Sequence, residues 1–226
     1  MSIILIFILA VLAICGHYLL RQGVMGKPWL ETGIAPPAPP PRDAVPGAGI
    51  WLAVVLAIIG CVFALFGSAF VMRMELADWR FFTMPPLVWL NTLMLIGASL
   101  MLHNATHQPS AAQTWLTGAL LATFGFMIGQ LLVWFLLMDA GYRLTTGPAA
   151  SFFYLLSGLH GLHILGGMAA LALVAEPKDA GPQEKSRRLR YCAIYWDFLL
   201  LVWLGLLVLF LGWANRIIDI CAAVLT

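Results

Sequence analysis

Charge is scarce in this sequence. Its 226 residues hold 12 Lys and Arg and 10 Asp and Glu, so 10% are charged, against about 25% in a soluble domain. Hydrophobic residues make up 62%. A water-soluble fold could not cover that much apolar surface with so few charged side chains. The net charge of +2 is too small to suggest a nucleic-acid partner, and no basic tract is interleaved with aromatics. Cysteine is sparse as well. Cys15, Cys61, Cys192 and Cys221 each lie in or beside an apolar run, with no CxxC and no Cys–His cluster. Four buried, reduced thiols are the expectation. A lipoprotein cleavage site at Cys15 is set aside, because bulky Ile14 precedes it and no basic residue leads the run. A dicarboxylate metal set is missing too. So are the inverted repeat and the several buried charges of a transporter.

Long apolar runs are what the chain has instead, and its mean hydropathy is +0.94. A transmembrane helix needs about 20 mostly apolar residues. Six runs qualify: Ile3–Leu20, Ile50–Met72, Pro85–Leu102, Thr114–Met138, Ala149–Ala175 and Tyr191–Trp213. They are continuous and lack a two-residue alternation, so they predict helices rather than a barrel. Between the first two, Gly23–Gly49 holds seven of the 13 prolines, including Pro36-Pro37 and Pro39-Pro40-Pro41. Proline fixes φ and removes a donor, so this stretch predicts an extended linker rather than a domain. The expected fold is all-α, an integral membrane bundle of six transmembrane helices in three parts. Residues 1–22 form an N-terminal helix, 23–49 a linker and 50–226 a five-helix bundle. The short remaining loops predict that consecutive helices are antiparallel neighbours.

Orientation follows from the distribution of Lys and Arg. With six spans, one side receives Arg21, Lys27, Arg42, Lys178, Lys185, Arg187, Arg188 and Arg190. The other receives Arg73, Arg80, Arg143 and Arg216. The eight-to-four bias puts the Pro-rich linker inside and both termini on the outer, periplasmic side of the plasma (inner) membrane. Lys178, Lys185, Arg187 and Arg188 then read both as a topology determinant and as a candidate site for lipid phosphate.

Few polar groups interrupt the spans, and in hydrocarbon each needs a partner. At 1.5 Å per residue, Asn91 lies roughly 9 Å and Gln130 roughly 12 Å below the outer face. The two are therefore expected in one outer polar layer. His160 and His163 are three apart and share a helix face near mid-membrane. Asp197 sits closer to the inner side. It reads either as a proton relay to one of those histidines or as a hydrogen-bonded clamp between the fifth and sixth spans. Haem ligation is disfavoured because His160 and His163 project from one helix, while His103 and His107 are placed at a loop. Gly158, Gly161, Gly166, Gly167, Ala169 and Ala170 crowd the fifth span and permit close helix contact. Trp115 and Trp213 suit an interfacial belt. Trp134, Trp196 and Trp203 read as packing residues between helices.

Four segments carry a family resemblance. Ser151–Gly167 reads SFFYLLSGLHGLHILGG, Tyr195–Trp203 reads YWDFLLLVW, Met84–Ala105 reads MPPLVWLNTLMLIGASLMLHNA and Gly125–Trp134 reads GFMIGQLLVW. In this order they resemble subunit III of the haem–copper oxidases, over roughly residues 48–215. The resemblance implies a non-catalytic subunit, packed against subunit I of a proton-pumping terminal oxidase that also contains subunit II. It implies haem and copper in those partners, and no catalytic residue, metal or cofactor in this chain. It also implies bound phospholipid, support of proton uptake and protection of the active site.

The sequence departs from the family in three places. Ala57–Leu65, AIIGCVFAL, has no acid where the family's first bundle helix often carries a buried glutamate. Asp197 stands where the family has a histidine, and Leu200 where it has an acid. One helix rather than two precedes the bundle. An accessory subunit of a nitric oxide reductase and a subunit III of a quinol oxidase remain as alternatives.

Overall fold

In the computed structural model the described residues are 17, 47–74, 76–79, 82–175 and 182–212. Apart from His17, the expected first span Ile3–Leu20 lies outside them. So do Cys15, most of the linker, Lys178, and the chain from Trp213 onward with Cys221. The chain divides into two units between Val45 and Pro46, and the helices described belong to the second.

Five long helices follow in order: α1 (Gly47–Met74), α2 (Leu87–His107), α3 (Ala112–Asp139), α4 (Pro148–Ala175) and α5 (Pro182–Phe210). Among the described residues there is no strand. Each helix is long and apolar enough to cross a membrane. The first expected span falls outside the described residues, so the bundle seen here has five helices.

Local chemistry sets the ends. Pro148 and Pro182 open α4 and α5, where a missing N–H costs nothing and φ is already helical. Past the end of α3, Gly141 takes φ 91. There the Gly141 N–H bonds Met138 O and the Tyr142 N–H bonds Leu137 O. This left-handed closure suits glycine, which has no Cβ. The largest boundary shift is at α5, which starts at Pro182 rather than at Tyr191. Hydropathy falls at the Gln183–Arg190 stretch, but Gln, Glu, Lys and Arg are good helix formers. The helix therefore runs past the apolar segment and carries the basic residues on its first turns.

Contacts along the helices give their directions. Gly60 of α1 meets Phe198 of α5, and Gly67 meets Leu209 further along, so α1 and α5 run parallel. Gly118, Gly125 and Gly129 of α3 meet Met101, Met94 and Asn91 of α2 in reverse order, so α2 and α3 are antiparallel. α5 is the hub and packs on α1, α2 and α4. The expectation that consecutive helices are neighbours meets one exception. α1 packs chiefly on α5 and α4, because its small residues face α5 and the longer 75–86 connection lets it sit away from α2.

Burial is uneven. Trp51, Ile58, Leu65 and Met72 form an outward stripe on α1, each more than half exposed, as a lipid solvent permits. The centre is filled by Phe126, Phe153, Ile164, Trp196 and Trp203, all 1% exposed or less. Cys61 is exposed and Cys192 half-buried, which corrects the expectation of buried thiols at both positions. An apolar run specifies membrane residence, not which side of the helix faces the core.

Candidate functional site

The polar side chains inside the bundle define the candidate site, and glycine makes room for the first of them. The Asn91 amide lies directly over Gly129, where a Cβ would overlap its Oδ1. One turn and three turns back along α3, Gly125 and Gly118 let the Met94 and Met101 sulfurs approach to 3.0 and 2.9 Å of where a Cβ would be. This seam brings α2 and α3 together. Within it Asn91 Nδ2 donates to Gln130 Oε1 over 3.4 Å, with both side chains buried. The sequence places these two residues in one layer, and here they meet. The single closest approach is at Gly129 of α3. The close contact expected at the α4 glycines is met at Gly167, where a Cβ would lie 2.8 Å from the Tyr195 ring. Gly158, Gly161 and Gly167 of α4 are filled by Trp134, Met127 and the Tyr195–Trp196 pair, while Gly166 meets nothing.

Three indoles, read from sequence as packing residues, are also donors. Trp203 Nε1 donates to Thr92 Oγ1 at 3.0 Å, and that hydroxyl donates to Val88 O at 2.8 Å. Trp196 Nε1 donates to Thr123 Oγ1 at 3.3 Å, and that hydroxyl donates to Ala119 O at 2.8 Å. Trp134 Nε1 donates to Ser157 Oγ at 3.0 Å, which bonds Phe153 O at 2.6 Å. Each hydroxyl accepts from a neighbouring helix and donates to the carbonyl four residues back. Each of these indole and hydroxyl donors thereby has an acceptor within the bundle. The three links join α5 to α2, α5 to α3, and α3 to α4. Their signal in sequence is a small hydroxyl residue within a span at the depth of a tryptophan on another.

The two histidines share a helix but not a role. His160 is fully buried and its Nε2 lies 3.0 Å from Leu199 O on α5. A carbonyl only accepts, so Nε2 carries the proton. The ring stacks on Trp203 at 5.3 Å between centroids, with Phe63 and Phe126 edge-on. His163 instead turns Nδ1 to Leu159 O of its own helix at 2.8 Å, which makes it the opposite tautomer. Its backbone carbonyl accepts from Tyr195 Oη at 3.0 Å. The α4–α5 clamp is therefore built by His160 and Tyr195.

Asp197 lies elsewhere. Ser99 Oγ donates to its Oδ1 at 2.5 Å, and His103 Nε2 lies 3.5 Å from Oδ2. Both partners belong to α2, so Asp197 joins α5 to α2 and reaches neither His160 nor His163. The helix period explains this. Tyr195 faces α4, and two residues on the side chain has turned by about 200°. His103 lies within α2 rather than at a loop. Its Nδ1 sits 3.1 Å from Ser99 O and must be the donor there. The signal that sequence reading missed is the i, i+4 spacing of Ser99 and His103 opposite an acid at the same depth. The Asp197 and His103 side chains are 45% and 47% exposed, unlike the sealed pairs above.

Outside the spans, the Arg73 guanidinium makes two bonds to Asp78, at 2.7 and 2.5 Å. The hydrogen bond from Arg73, more than its charge, holds the Asp78 carboxyl below its ordinary value. Lys185 and Arg187 are half-buried and Arg188 is exposed on the first turns of α5. Among the described residues no group of three His, Cys, Asp or Glu side chains could hold a metal ion.

Comparison with known proteins gives a consistent set of relatives. The chain is similar to the cytochrome c oxidase subunit 3 of Thermostichus vulcanus, with 29% identity over 130 residues, 53% of this chain and 62% of that protein. It is 31% identical to the cytochrome c oxidase subunit 3 of Synechocystis sp. over 130 residues, 53% of each chain. A longer match, 26% over 187 residues, covers 74% of this chain and 87% of the cytochrome c oxidase subunit 3 of Bacillus sp.. The chain thus spans less than two thirds of the length of the first two relatives. No family model matches it.

Proposed function

Because the chain belongs to the subunit III family of the haem–copper oxidases, we propose that it is a non-catalytic membrane subunit of an aerobic respiratory terminal oxidase. It packs against catalytic subunit I, alongside subunit II, and those partners hold the haem and copper. Its role is to stabilise subunit I and to support proton uptake and lipid binding during oxygen reduction. The arrangement is one N-terminal helix on a Pro-rich tether plus the five-helix bundle, in the plasma membrane with both termini outside.

The observation that supports this reading is the destination of the buried polar side chains. Asn91, Thr92, Thr123, Ser157 and His160 each bond a neighbouring helix of the same bundle. Such bonds hold a scaffold together, whereas a catalytic centre needs several such groups converging on one reacting atom. The basic residues Lys178, Lys185, Arg187 and Arg188 serve as the lipid-facing set, drawn to phosphate at the inner surface.

Co-purification tests the proposal. The tagged chain should bring down a partner that carries haem and copper and consumes oxygen. A partner that reduces nitric oxide, or one fed by quinol, would move the chain to the corresponding complex. Deleting the gene should leave the haem spectrum of the membranes intact while the oxidase loses activity faster during turnover. Loss of all haem from the complex would refute a stabilising role.

A further inference from the structure

A cavity of about 440 Å³ opens at the end of the bundle where α2 finishes and α5 begins. Thr106, Ser110, Gln113, Lys185 and Ser186 bring polar groups to its wall. The Thr106 hydroxyl already donates a hydrogen bond to His103 O at 2.7 Å. The available donors are therefore the ammonium of Lys185, the amide of Gln113 and the hydroxyls of Ser110 and Ser186. Leu116 and Leu189, 2% and 4% exposed, supply an apolar boundary. No Asp or Glu is among the described residues lining the cavity.

Two further features point to an anion. The 28-residue helix α3 starts on this wall, and Ala111 at its cap makes no side-chain bond to the first turn. Its first N–H, at Ala112, is taken by Pro109 O, but the positive end of its dipole still lies at this wall. The cavity also lies level with the ends of the apolar spans, at His107, Pro109 and Lys185. That is the depth at which a bilayer places its phosphates. One cation with several neutral donors suits a singly charged phosphate ester, each bond to the charged oxygens being stronger than a neutral one.

We propose that this cavity binds a phosphate group, with Lys185 as its cation and Ser110, Gln113 and Ser186 as its neutral donors. The proposal rests on the membrane-spanning reading of the helices and not on the oxidase assignment. It divides the basic run of α5. Lys185 and Ser186 line the cavity, whereas Arg187 and Arg188 are not among the residues that line it. A general attraction to anionic lipid would treat these cations alike.

The test uses the full-length chain in nanodiscs of phosphatidylcholine and phosphatidylglycerol. Phospholipid retained through detergent washing is counted by native mass spectrometry. A parallel thermal-shift titration uses inorganic phosphate. Lys185→Gln should weaken phosphate binding about tenfold, the scale of one charge-assisted bond, and Lys185→Arg should restore most of it. The pair Ser110→Ala, Gln113→Leu should weaken it without changing any charge. Retained phospholipid with no response to inorganic phosphate identifies a lipid headgroup. A response to inorganic phosphate that Lys185→Gln removes identifies the free anion. Equal losses from Lys185→Gln and from the double variant Arg187→Gln, Arg188→Gln overturn the proposal. So does a wild-type chain that holds neither probe.

Discussion

The two ends of the bundle solve the problem of polarity in a membrane in opposite ways. Toward the Asn91 end the polar groups are neutral, buried and bonded across helices. Asn91 and Gln130 are 1% and 5% exposed, and Thr92 answers the fully buried indole of Trp203. Toward the His103 end the groups are ionisable and half exposed, as in the Ser99–Asp197–His103 cluster and at Lys185. Sealed neutral bonds specify which helix packs on which, because a mismatched pair leaves a donor unsatisfied where there is no water. Half-exposed ionisable groups hold the helices less firmly, because they always have an alternative in water or at a headgroup. The first end is the better place to look for rigidity, the second for exchange with the surroundings.

That contrast can be broken by experiment. The largest effect is expected at the glycine seam. Gly129→Leu drives a side chain into the Asn91 amide and should cost about 3 kcal/mol, the upper range for overpacking a tight core. Unfolding in detergent, followed by circular dichroism, would measure it. Gly166→Leu, at an α4 glycine with nothing nearby, should cost far less. Equal costs at the two positions would remove the seam from the account.

Next comes Trp203→Phe. It deletes one indole donor at an intact ring site, and the cost should be about 1 kcal/mol, near the measured range for hydrogen bonds between membrane helices. Thr92→Val removes the acceptor and strands the indole, so the double variant should cost less than the sum of the two. Asp197→Asn should cost less, at about 0.5 kcal/mol. If it cost more than Trp203→Phe, the ranking of the two ends would be reversed.

The smallest effect is at the exposed Arg73–Asp78 pair. Its folded carboxyl is held below the ordinary value of 3.8. The pair's contribution is therefore fully present above that pH and fades as pH falls through the lowered value. A slight drop in Tm on acidification below pH 3.8 should vanish in Asp78→Asn.

How much of this was legible can be argued residue by residue. Asn91 and Gln130 could be matched from depth alone, since 1.5 Å per residue fixes height along a helix. The Trp203–Thr92 bond could not, because depth says nothing about rotation. A span that is apolar on all sides has no preferred face in its pattern. The same gap explains Asp197. Its partner was expected on α4. The residue at that height that faces α4 is Tyr195, and Asp197 has turned to Ser99 and His103. The α4 glycines show the limit from another side. Their number predicts close packing, which Gly167 meets against Tyr195 and Trp196, yet the one position where a Cβ would overlap a neighbour outright is Gly129 of α3, beneath Asn91.

Sequence by itself determined that this chain lives in a membrane, where its apolar spans begin, and which motifs ally it with oxidase subunit III. Those are properties of composition, run length and local order, and hydrocarbon enforces them on any arrangement of the helices. Only the tertiary structure decided that α5 is the hub, that α1 pairs with it in parallel, and that Lys185 rather than Arg187 or Arg188 lines a cavity. Lipid solvates every face of an apolar helix about equally well. The choice among faces therefore falls to close packing and to a few hydrogen bonds, which exist only once the helices have met.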